Sequence, residues 1–149
     1  MNLATWVERN GRRFRQEPAL AVGERVHTTW GEFAARTAAA GLRDSFGLFP
    51  GDRVAIVMSN RADYLEGMTA VWHAGLVVVP VNACLHRDEI AYVLADSGSA
   101  VVVTNHEHAI DVQSRPSRTA PGYRGWGRAR SAPPRQGCTR LLALVPARP

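Results

Sequence analysis

The chain has 149 residues, 46% of them hydrophobic, which is enough for one domain with an apolar core. Its formal charge of +5 is unevenly distributed, because residues 1–112 carry ten arginines and all thirteen acidic residues, whereas residues 113–149 carry eight arginines and no acid. All eighteen basic residues are arginine, so a phosphate-binding loop of the GxxxxGK[ST] type, which requires a lysine, is excluded.

Cysteine content and hydropathy restrict the class of protein further. Cys84 and Cys138 are too few for a disulfide framework or a structural zinc site, and we expect both to be free thiols in a cytoplasmic protein. No apolar run approaches the roughly 20 residues that span a bilayer, and no secretory signal is visible.

The first predicted element is an amphipathic helix over residues 3–15, in which Trp6, Val7 and Phe14 face inward. Its four arginines would also suit an organelle-targeting helix, but the two glutamates in and beside it count against targeting.

A hairpin and a second helix follow. Residues 19–22 and 26–29 flank a turn that contains glycine, which predicts two antiparallel strands. Thr29 and Glu32 have the spacing of a capping box, so a helix should begin there, run to about residue 46 and end at Gly47.

The centre of the chain predicts a strand, a helix and a second strand. Residues 53–58 are an apolar run rich in β-branched side chains, as in a strand buried on both faces. The oxygens of Ser59 and Asn60 would accept hydrogen bonds from the first N–H groups of a helix over residues 62–74. Residues 76–81 form the second strand, and two strands joined by a helix lie parallel. The large apolar residues of this helix recur at three- and four-residue spacing: Leu65, Met68, Val71 and Trp72.

One more helix and strand complete the predicted body. Asp88 and Glu89 lie in the first turn of the helix, where carboxylates favour the positive end of its dipole. Residues 100–104 form a third parallel strand after a turn. The predicted fold class is therefore α/β, a partial doubly wound and mostly parallel sheet with flanking helices. The apolar face of this last helix consists of Ile90, Val93 and Leu94.

Residues 113–149 differ in character from the body. They contain six of the nine prolines and four glycines, and they show no helical or alternating pattern. Such a segment cannot bury enough apolar surface to offset its ordering entropy, so we predict a disordered basic tail. Arginine, proline, glycine and alanine are what GC-rich codons tend to yield out of frame, and we hypothesise a change of reading frame near residue 112.

Several pieces of the body carry a resemblance to a known family. GDRVAIVMSN, a helix ending in HAG, and VVVPVN follow one another in residues 51–82. They are preceded by HTTWGEFAARTAAAGLRDSFGLFPGDRVA and followed by LHRDEIAYVLADSGSAVVVT. In their amino-acid sequence and order, these segments resemble the N-terminal part of the adenylate-forming acyl-CoA synthetases, the AMP-binding ligase family. The resemblance runs from about Leu3 to about Thr104. The resemblance implies that residues 1–112 are the N-terminal part of such a domain.

The resemblance also implies a reaction for the intact parent. That enzyme activates a carboxylic or fatty acid with ATP and Mg²⁺, and then passes the acyl group to coenzyme A. The family's phosphate loop ending in Lys, its aromatic-Gly-x-Thr-Glu motif, its ribose-binding Asp, its hinge Arg and its catalytic Lys are absent from this sequence. We therefore predict a truncated synthetase that is inactive alone, with no catalytic, cofactor-binding or metal-ligating residue. In some family members the loop that matches residues 82–87 approaches the nucleotide of coenzyme A.

Three other groups of polar residues are better explained by structure than by chemistry. Residues 97–99 predict a turn rather than a phosphate loop, because no lysine follows them. His73 predicts a packed or hydrogen-bonded side chain, since no serine or cysteine with a paired base accompanies it. The last group lacks a third metal ligand at fixed spacing, which favours solvated residues at a strand end: His106, Glu107, His108 and Asp111.

The tail keeps a second class of function open, a non-catalytic module that binds nucleic acid or a protein partner. Tyr123 and Trp126 stand among Arg124, Arg128 and Arg130, a mixture that binds single-stranded nucleic acid through phosphate contacts and stacking. Adventitious positive charge explains the same weak binding at low salt, so we expect no specific nucleic-acid partner.

Overall fold

The computed structural model describes residues 2–38, 41–105, 130–131 and 142–144. The chain divides into two compact units, one made of Met1–Gly51 with Asn60–Val77 and the other of Asp52–Ser59 with Val78–Pro149. The helices are α1 (Ala4–Arg13), α2 (Trp30–Ala38), α3 (Leu42–Phe46), α4 (Ala62–His73) and α5 (Arg87–Ser97). The strands are β1 (Pro18–Val22), β2 (Arg25–Thr29), β3 (Arg53–Val57), β4 (Val77–Val81), β5 (Val101–Thr104), β6 (Arg130–Ser131) and β7 (Leu142–Leu144). No helix in this described part is both long and apolar enough to cross a bilayer.

The first unit contains the predicted hairpin and the start of the second helix as expected. β1 and β2 pair antiparallel around Gly23, whose φ of 61° suits glycine. The predicted capping box is present, because Thr29 N–H donates to Glu32 Oε2 at 2.9 Å and Glu32 N–H donates to Thr29 Oγ1 at 3.4 Å. The hydrogen bond from the Thr29 backbone also lowers the pKa of the Glu32 carboxyl.

The prediction of one helix from this cap to about residue 46 is wrong. α2 ends at Ala38, and α3 is a separate helix whose preceding residue, Gly41, has a φ of 55°. A left-handed residue cannot lie inside a right-handed helix, so the chain must break there. The end predicted at Gly47 is confirmed, since its φ is 64°.

The inward faces of α1 and α4 also differ from their predictions. Val7 is buried as expected, but Trp6 is 53% exposed. On α4, Val71 is buried while Leu65 is 46% exposed. The inward faces are instead lined by small and polar residues, namely Asn10 and Gly11 on α1 and Asp63, Glu66 and Thr69 on α4.

The start of α4 is capped differently from the prediction. Its N-cap residue is Arg61, which is extended and makes no side-chain capping bond. Ser59 and Asn60 are exposed residues that precede this cap. The end of the helix agrees with the sequence, because Gly75 has a φ of 72° and follows its last turn.

The second unit is built on a sheet with strand order β4-β3-β5-β7-β6. β3 pairs in parallel with β5, in register from Val54↔Val101 to Val57↔Thr104. The predicted α/β class with a parallel three-stranded sheet is therefore confirmed. All four of these β5 residues are buried, as are the last four of β3. The buried apolar cluster of this unit consists of Ala55, Val57, Val81, Ile90, Leu94 and Val102.

α5 is fixed at both ends by polar contacts. At its start, His86 and Glu89 form a capping box, with His86 N–H donating to Glu89 Oε2 at 2.8 Å. At its end, Gly98 has a φ of 59° and closes the helix. The guanidinium of Arg53 donates to the carbonyls of Ser97 and Gly98, both at 2.9 Å, and so satisfies two carbonyls at this end.

Two segments of the tail add strands to this sheet, and neither strand was predicted from the sequence. β7 pairs antiparallel with β5, and β6 pairs antiparallel with β7. The other residues of the tail lie outside the described residues. The predicted disorder of the tail and its boundary at residue 112 therefore stay predictions.

Candidate functional site

The topology of the second unit indicates where a ligand would bind. After β3 the chain forms β4, which lies on one side of β3. It then crosses over to form β5, which lies on the other side of β3. The direction of winding therefore reverses between β3 and β5. In open α/β sheets, ligands bind beyond the carboxyl ends of the strands at such a reversal. We call this region the carboxyl edge, and it comprises residues 58–59, 82–87 and 104–105.

Neutral polar groups stand at the reversal itself. Thr104 is the last residue of β5 and Asn105 follows it, and both are buried. Thr104 Oγ1 donates a hydrogen bond to the carbonyl of Asn105 at 3.3 Å. On the neighbouring strand, buried Met58 is followed by exposed Ser59. Hydroxyl and amide groups of this kind can orient a polar ligand, but they supply no positive charge for a phosphate.

The loop after β4 is held in one shape by its own polar side chains. Asn82 Oδ1 accepts the N–H of Cys84 at 2.9 Å, and the Asn82 carbonyl accepts the N–H of Leu85 at 3.2 Å. His86 Nδ1 accepts the N–H of Asp88 at 3.4 Å. These bonds make an Asx turn that runs directly into the cap of α5 and leaves the Cys84 thiol exposed. The loop therefore presents a preformed, solvent-facing surface at the carboxyl edge.

A second polar group lies inside the first unit, around the carboxylate of Glu66. Arg36 Nη1 is 3.0 Å from Glu66 Oε1, and His27 Nε2 is 3.7 Å from the same oxygen. Asp63 is also buried on α4, with Arg61 Nε 3.5 Å from its Oδ2. Burial raises the pKa of Glu66, while the charge of Arg36 acts in the opposite direction. We call these residues the Glu66 cluster.

The Glu66 cluster joins elements rather than opening to a ligand. Its side chains come from β2, α2 and α4, and its central carboxylate is only 6% exposed. This cluster was not predicted from the sequence, because Arg36 is thirty residues away from Glu66 in the chain. The available signal was the pair Asp63 and Glu66, three residues apart on one face of a predicted helix.

The other residues singled out from the sequence have structural roles where they are described. His73 Nε2 is 2.8 Å from Glu8 Oε1, which agrees with a hydrogen-bonded histidine. Among residues 97–99, Ser97 is the last residue of α5 and the predicted turn begins at Gly98. Within the described ranges, no three His, Cys, Asp or Glu side chains are grouped so as to hold a metal ion. The remaining candidates lie outside those ranges: His106, Glu107, His108, Asp111 and Cys138.

The amino-acid sequence of the chain is similar to a known protein family and to enzymes of known activity. A family model described as AMP-binding enzyme matches residues 7–127. A feruloyl-CoA synthase from Amycolatopsis sp is 39% identical over 109 residues, which are 72% of this chain and 22% of that protein. A long-chain-fatty-acid–CoA ligase from Salmonella typhimurium is 33% identical over 113 residues, which are 74% of this chain and 20% of that protein. The chain thus spans about a fifth of the length of these relatives.

Solved structures show the same fold. A putative long-chain-fatty-acid CoA ligase from Rhodopseudomonas palustris superposes with a TM-score of 0.67 at 36% identity, over 75% of this chain and 28% of that one. The N-terminal domain of FACL13 from Mycobacterium tuberculosis superposes with a TM-score of 0.71 at 24% identity, over 81% of this chain and 31% of that one. The second likeness concerns the fold alone.

Proposed function

The chain belongs to the family of AMP-binding enzymes, and from this premise we propose that it is the N-terminal part of an acyl-CoA synthetase. In this proposal the parent enzyme works in the cytoplasm, activates a carboxylic or fatty acid with ATP and Mg²⁺, and transfers the acyl group to coenzyme A. The observation that carries the proposal is the match to two CoA ligases over 72% and 74% of this chain but only 22% and 20% of their length.

We further propose that the 149-residue chain does not catalyse this reaction alone. Moving a negatively charged adenylyl group requires cations and oriented donors around the phosphates. The sequence contains no lysine, and the two buried polar residues at the end of β5, Thr104 and Asn105, offer a hydroxyl and an amide rather than a cation. In the proposal, this segment contributes a rigid wall to a site whose charged groups come from other parts of the parent.

The proposal is tested by incubating the purified chain with ATP, Mg²⁺, coenzyme A and a panel of carboxylic acids from aromatic to long-chain. The expected result is no AMP above the level without protein. The feruloyl-CoA synthase from Amycolatopsis sp, assayed in parallel, shows that the conditions support adenylation. AMP formation that co-elutes with the 149-residue chain in gel filtration would refute the inactivity.

For residues 113–149 we propose a change of reading frame relative to the parent family. The support is compositional, because eight arginines and no acid follow a body with a net charge of −3. The family match extends to residue 127, so it overlaps the proposed out-of-frame segment in residues 113–127, and the DNA of this overlap tests the proposal. The test is to translate the DNA after codon 112 in all three frames. A single-base change that restores a family-like continuation is the expected result, and an intact frame shared by related genes contradicts it.

A further inference from the structure

The outer side of α1 is a continuous exposed strip. Ala4, Val7, Asn10 and Gly11 face inward, whereas the opposite side of the helix is open to solvent. Arg9 follows Trp6 by three residues and Arg13 follows Arg9 by four, so these three side chains lie along one side. We use the name outer face of α1 for the exposed helix residues Thr5, Trp6, Arg9, Arg12 and Arg13 together with the exposed N-cap residue Leu3.

The arginines of this face make it positively charged. A surface groove of about 490 Å³ is lined by Thr5, Glu8, Arg9, Arg12 and Arg13. Among the described residues, none of the three arginines has an acidic partner within ion-pair distance. The acid in the lining, Glu8, is engaged by His73 at 2.8 Å. The groove therefore attracts anions.

Two apolar side chains are also exposed at the N-terminal end of α1, that of the N-cap residue Leu3 and that of Trp6 in the first turn. Leu3 is 59% exposed, and Trp6 is 53% exposed. The indole of Trp6 is held edge-to-face against Trp30, with ring centroids 5.1 Å apart. An aromatic ring that is already positioned loses little further freedom when its exposed edge enters a new environment.

We propose that the outer face of α1 docks on an anionic lipid surface. Tryptophan is favoured at the headgroup level of a bilayer, a leucine beside it can enter the acyl boundary, and arginines bind lipid phosphates. A single-stranded nucleic acid would satisfy the arginines and the indole, but it has no aliphatic region to cover Leu3. Since the apolar part is short, binding is reversible and depends on the charge of the lipid.

The test uses the full chain and sedimentation with phospholipid vesicles. We expect binding to vesicles of phosphatidylcholine with phosphatidylserine, weak binding to phosphatidylcholine alone, and a decrease as salt is raised. The triple variant Arg9→Gln, Arg12→Gln, Arg13→Gln lowers the affinity on the order of a hundredfold. The uncharged change Leu3→Gln lowers it about tenfold, because aliphatic area is no longer buried in lipid. Failure of the unaltered chain to bind phosphatidylserine vesicles would overturn the proposal without any variant.

Matched variants separate this face from the arginine-rich tail. Replacing Arg124, Arg128 and Arg130 by Gln removes the same charge, and we expect a smaller loss of affinity. Val22→Gln removes an aliphatic side chain that is 64% exposed on β1, and we expect no loss. An equal loss from the helix and tail triples, together with no effect of Leu3→Gln, would show that charge alone binds the vesicles and would overturn the proposal.

Two further measurements complete the test. Circular dichroism melts of all variants establish that the exposed substitutions leave the fold intact. Brominated phosphatidylserine should quench indole fluorescence in Trp126→Phe but to a lesser extent in Trp6→Phe. If a single-stranded oligonucleotide binds through the same three helix arginines while vesicles do not bind, the face is a nucleic-acid site and the lipid proposal is wrong.

Discussion

Arg36 Nη1 donates to Glu66 Oε1 at 3.0 Å, and this contact joins α2 to α4 around a carboxylate that is 6% exposed. The first prediction follows from this pair. A buried carboxylate that loses its cationic partner is strongly destabilising, although Arg36 is one-third exposed and the effect is smaller than for a fully buried pair. We expect Arg36→Met to lower the free energy of unfolding by about 2 kcal/mol at neutral pH.

The measurement is urea denaturation followed by tryptophan fluorescence. The matched control is Arg43→Met, because Arg43 is an exposed arginine on α3 and makes no ion pair within the described ranges. Its expected change is within about 0.5 kcal/mol. Equal midpoints for the two variants would show that the Arg36 contact does not stabilise the fold.

The second prediction concerns pH. Burial raises the pKa of Glu66 above its ordinary 4.5, so the folded chain binds this proton more tightly than the unfolded chain does. The stability that Glu66 contributes is therefore full below pH 4.5 and is lost as pH rises through the raised value. Glu66→Gln cannot ionise and has no such loss. The unfolding free energy of Glu66→Gln minus that of the unaltered chain should increase upward from about pH 4.5.

Urea melts of both proteins at successive pH values measure this difference. The other charged groups of the cluster, His27, Arg36, Arg61 and Asp63, are present in both proteins, and only Glu66 is removed. A constant offset between the two curves reflects the exchange of a neutral carboxyl for an amide. The slope of the difference reports the ionisation of Glu66, including the attraction of its charged form to Arg36. Parallel curves between pH 4.5 and neutrality would refute the prediction.

The third prediction compares two left-handed glycines. Gly98 and Gly75 have φ values of 59° and 72°, so alanine is strained at both. A methyl group at Gly98 would also lie 2.9 Å from Arg53 Nη2, whereas at Gly75 no atom comes within 4 Å. We expect the strain to lower the free energy of unfolding of each alanine variant by about 1 kcal/mol. Gly98→Ala should lower it by about 1 kcal/mol more, because Arg53 is displaced from its carbonyl partners. In an Arg53→Met background this excess should vanish, and its persistence in urea melts would contradict the assignment.

The fourth prediction tests the close packing of α1 on α2. A methyl group at Gly11 would lie 2.5 Å from Ala34 Cβ and 3.1 Å from the carbonyl of Trp30. In an exposed helix, replacing glycine by alanine raises the free energy of unfolding by about 1 kcal/mol. Here we expect Gly11→Ala to lower it by about 2 kcal/mol, because the added methyl group overpacks the contact between the helices. Adding Ala34→Gly should restore part of this loss in a double-mutant cycle measured by urea denaturation. A stabilised Gly11→Ala would mean that the two helices are not in close contact.

The strands β1 to β5 were predictable, whereas the inward faces of α1 and α4 were not. β3 and β5 are short β-branched runs between turn residues, and such runs predict buried parallel strands from the sequence alone. Trp6 was predicted to face inward and Leu65 belongs to the regular apolar spacing of α4, yet both are exposed. Spacing within one helix cannot reveal a partner on another helix, such as Ala34 against Gly11.

The candidate sites show the same division. Residue types sufficed to predict the Thr29–Glu32 cap, because that contact is local. The Glu66 cluster and the antiparallel pairing of β7 with β5 depend on residues far apart in the chain, and no local pattern announces either. The carboxyl edge needed the strand order, which the sequence limits but does not determine.

The most direct test of the central claim is a chimera in which residues 1–105 of this chain replace the matching segment of the feruloyl-CoA synthase from Amycolatopsis sp. If the segment is the N-terminal wall of an AMP-binding ligase, the chimera should form AMP and feruloyl-CoA, while the 149-residue chain assayed beside it forms neither. A chimera that melts cooperatively and yet forms no AMP would contradict the claim.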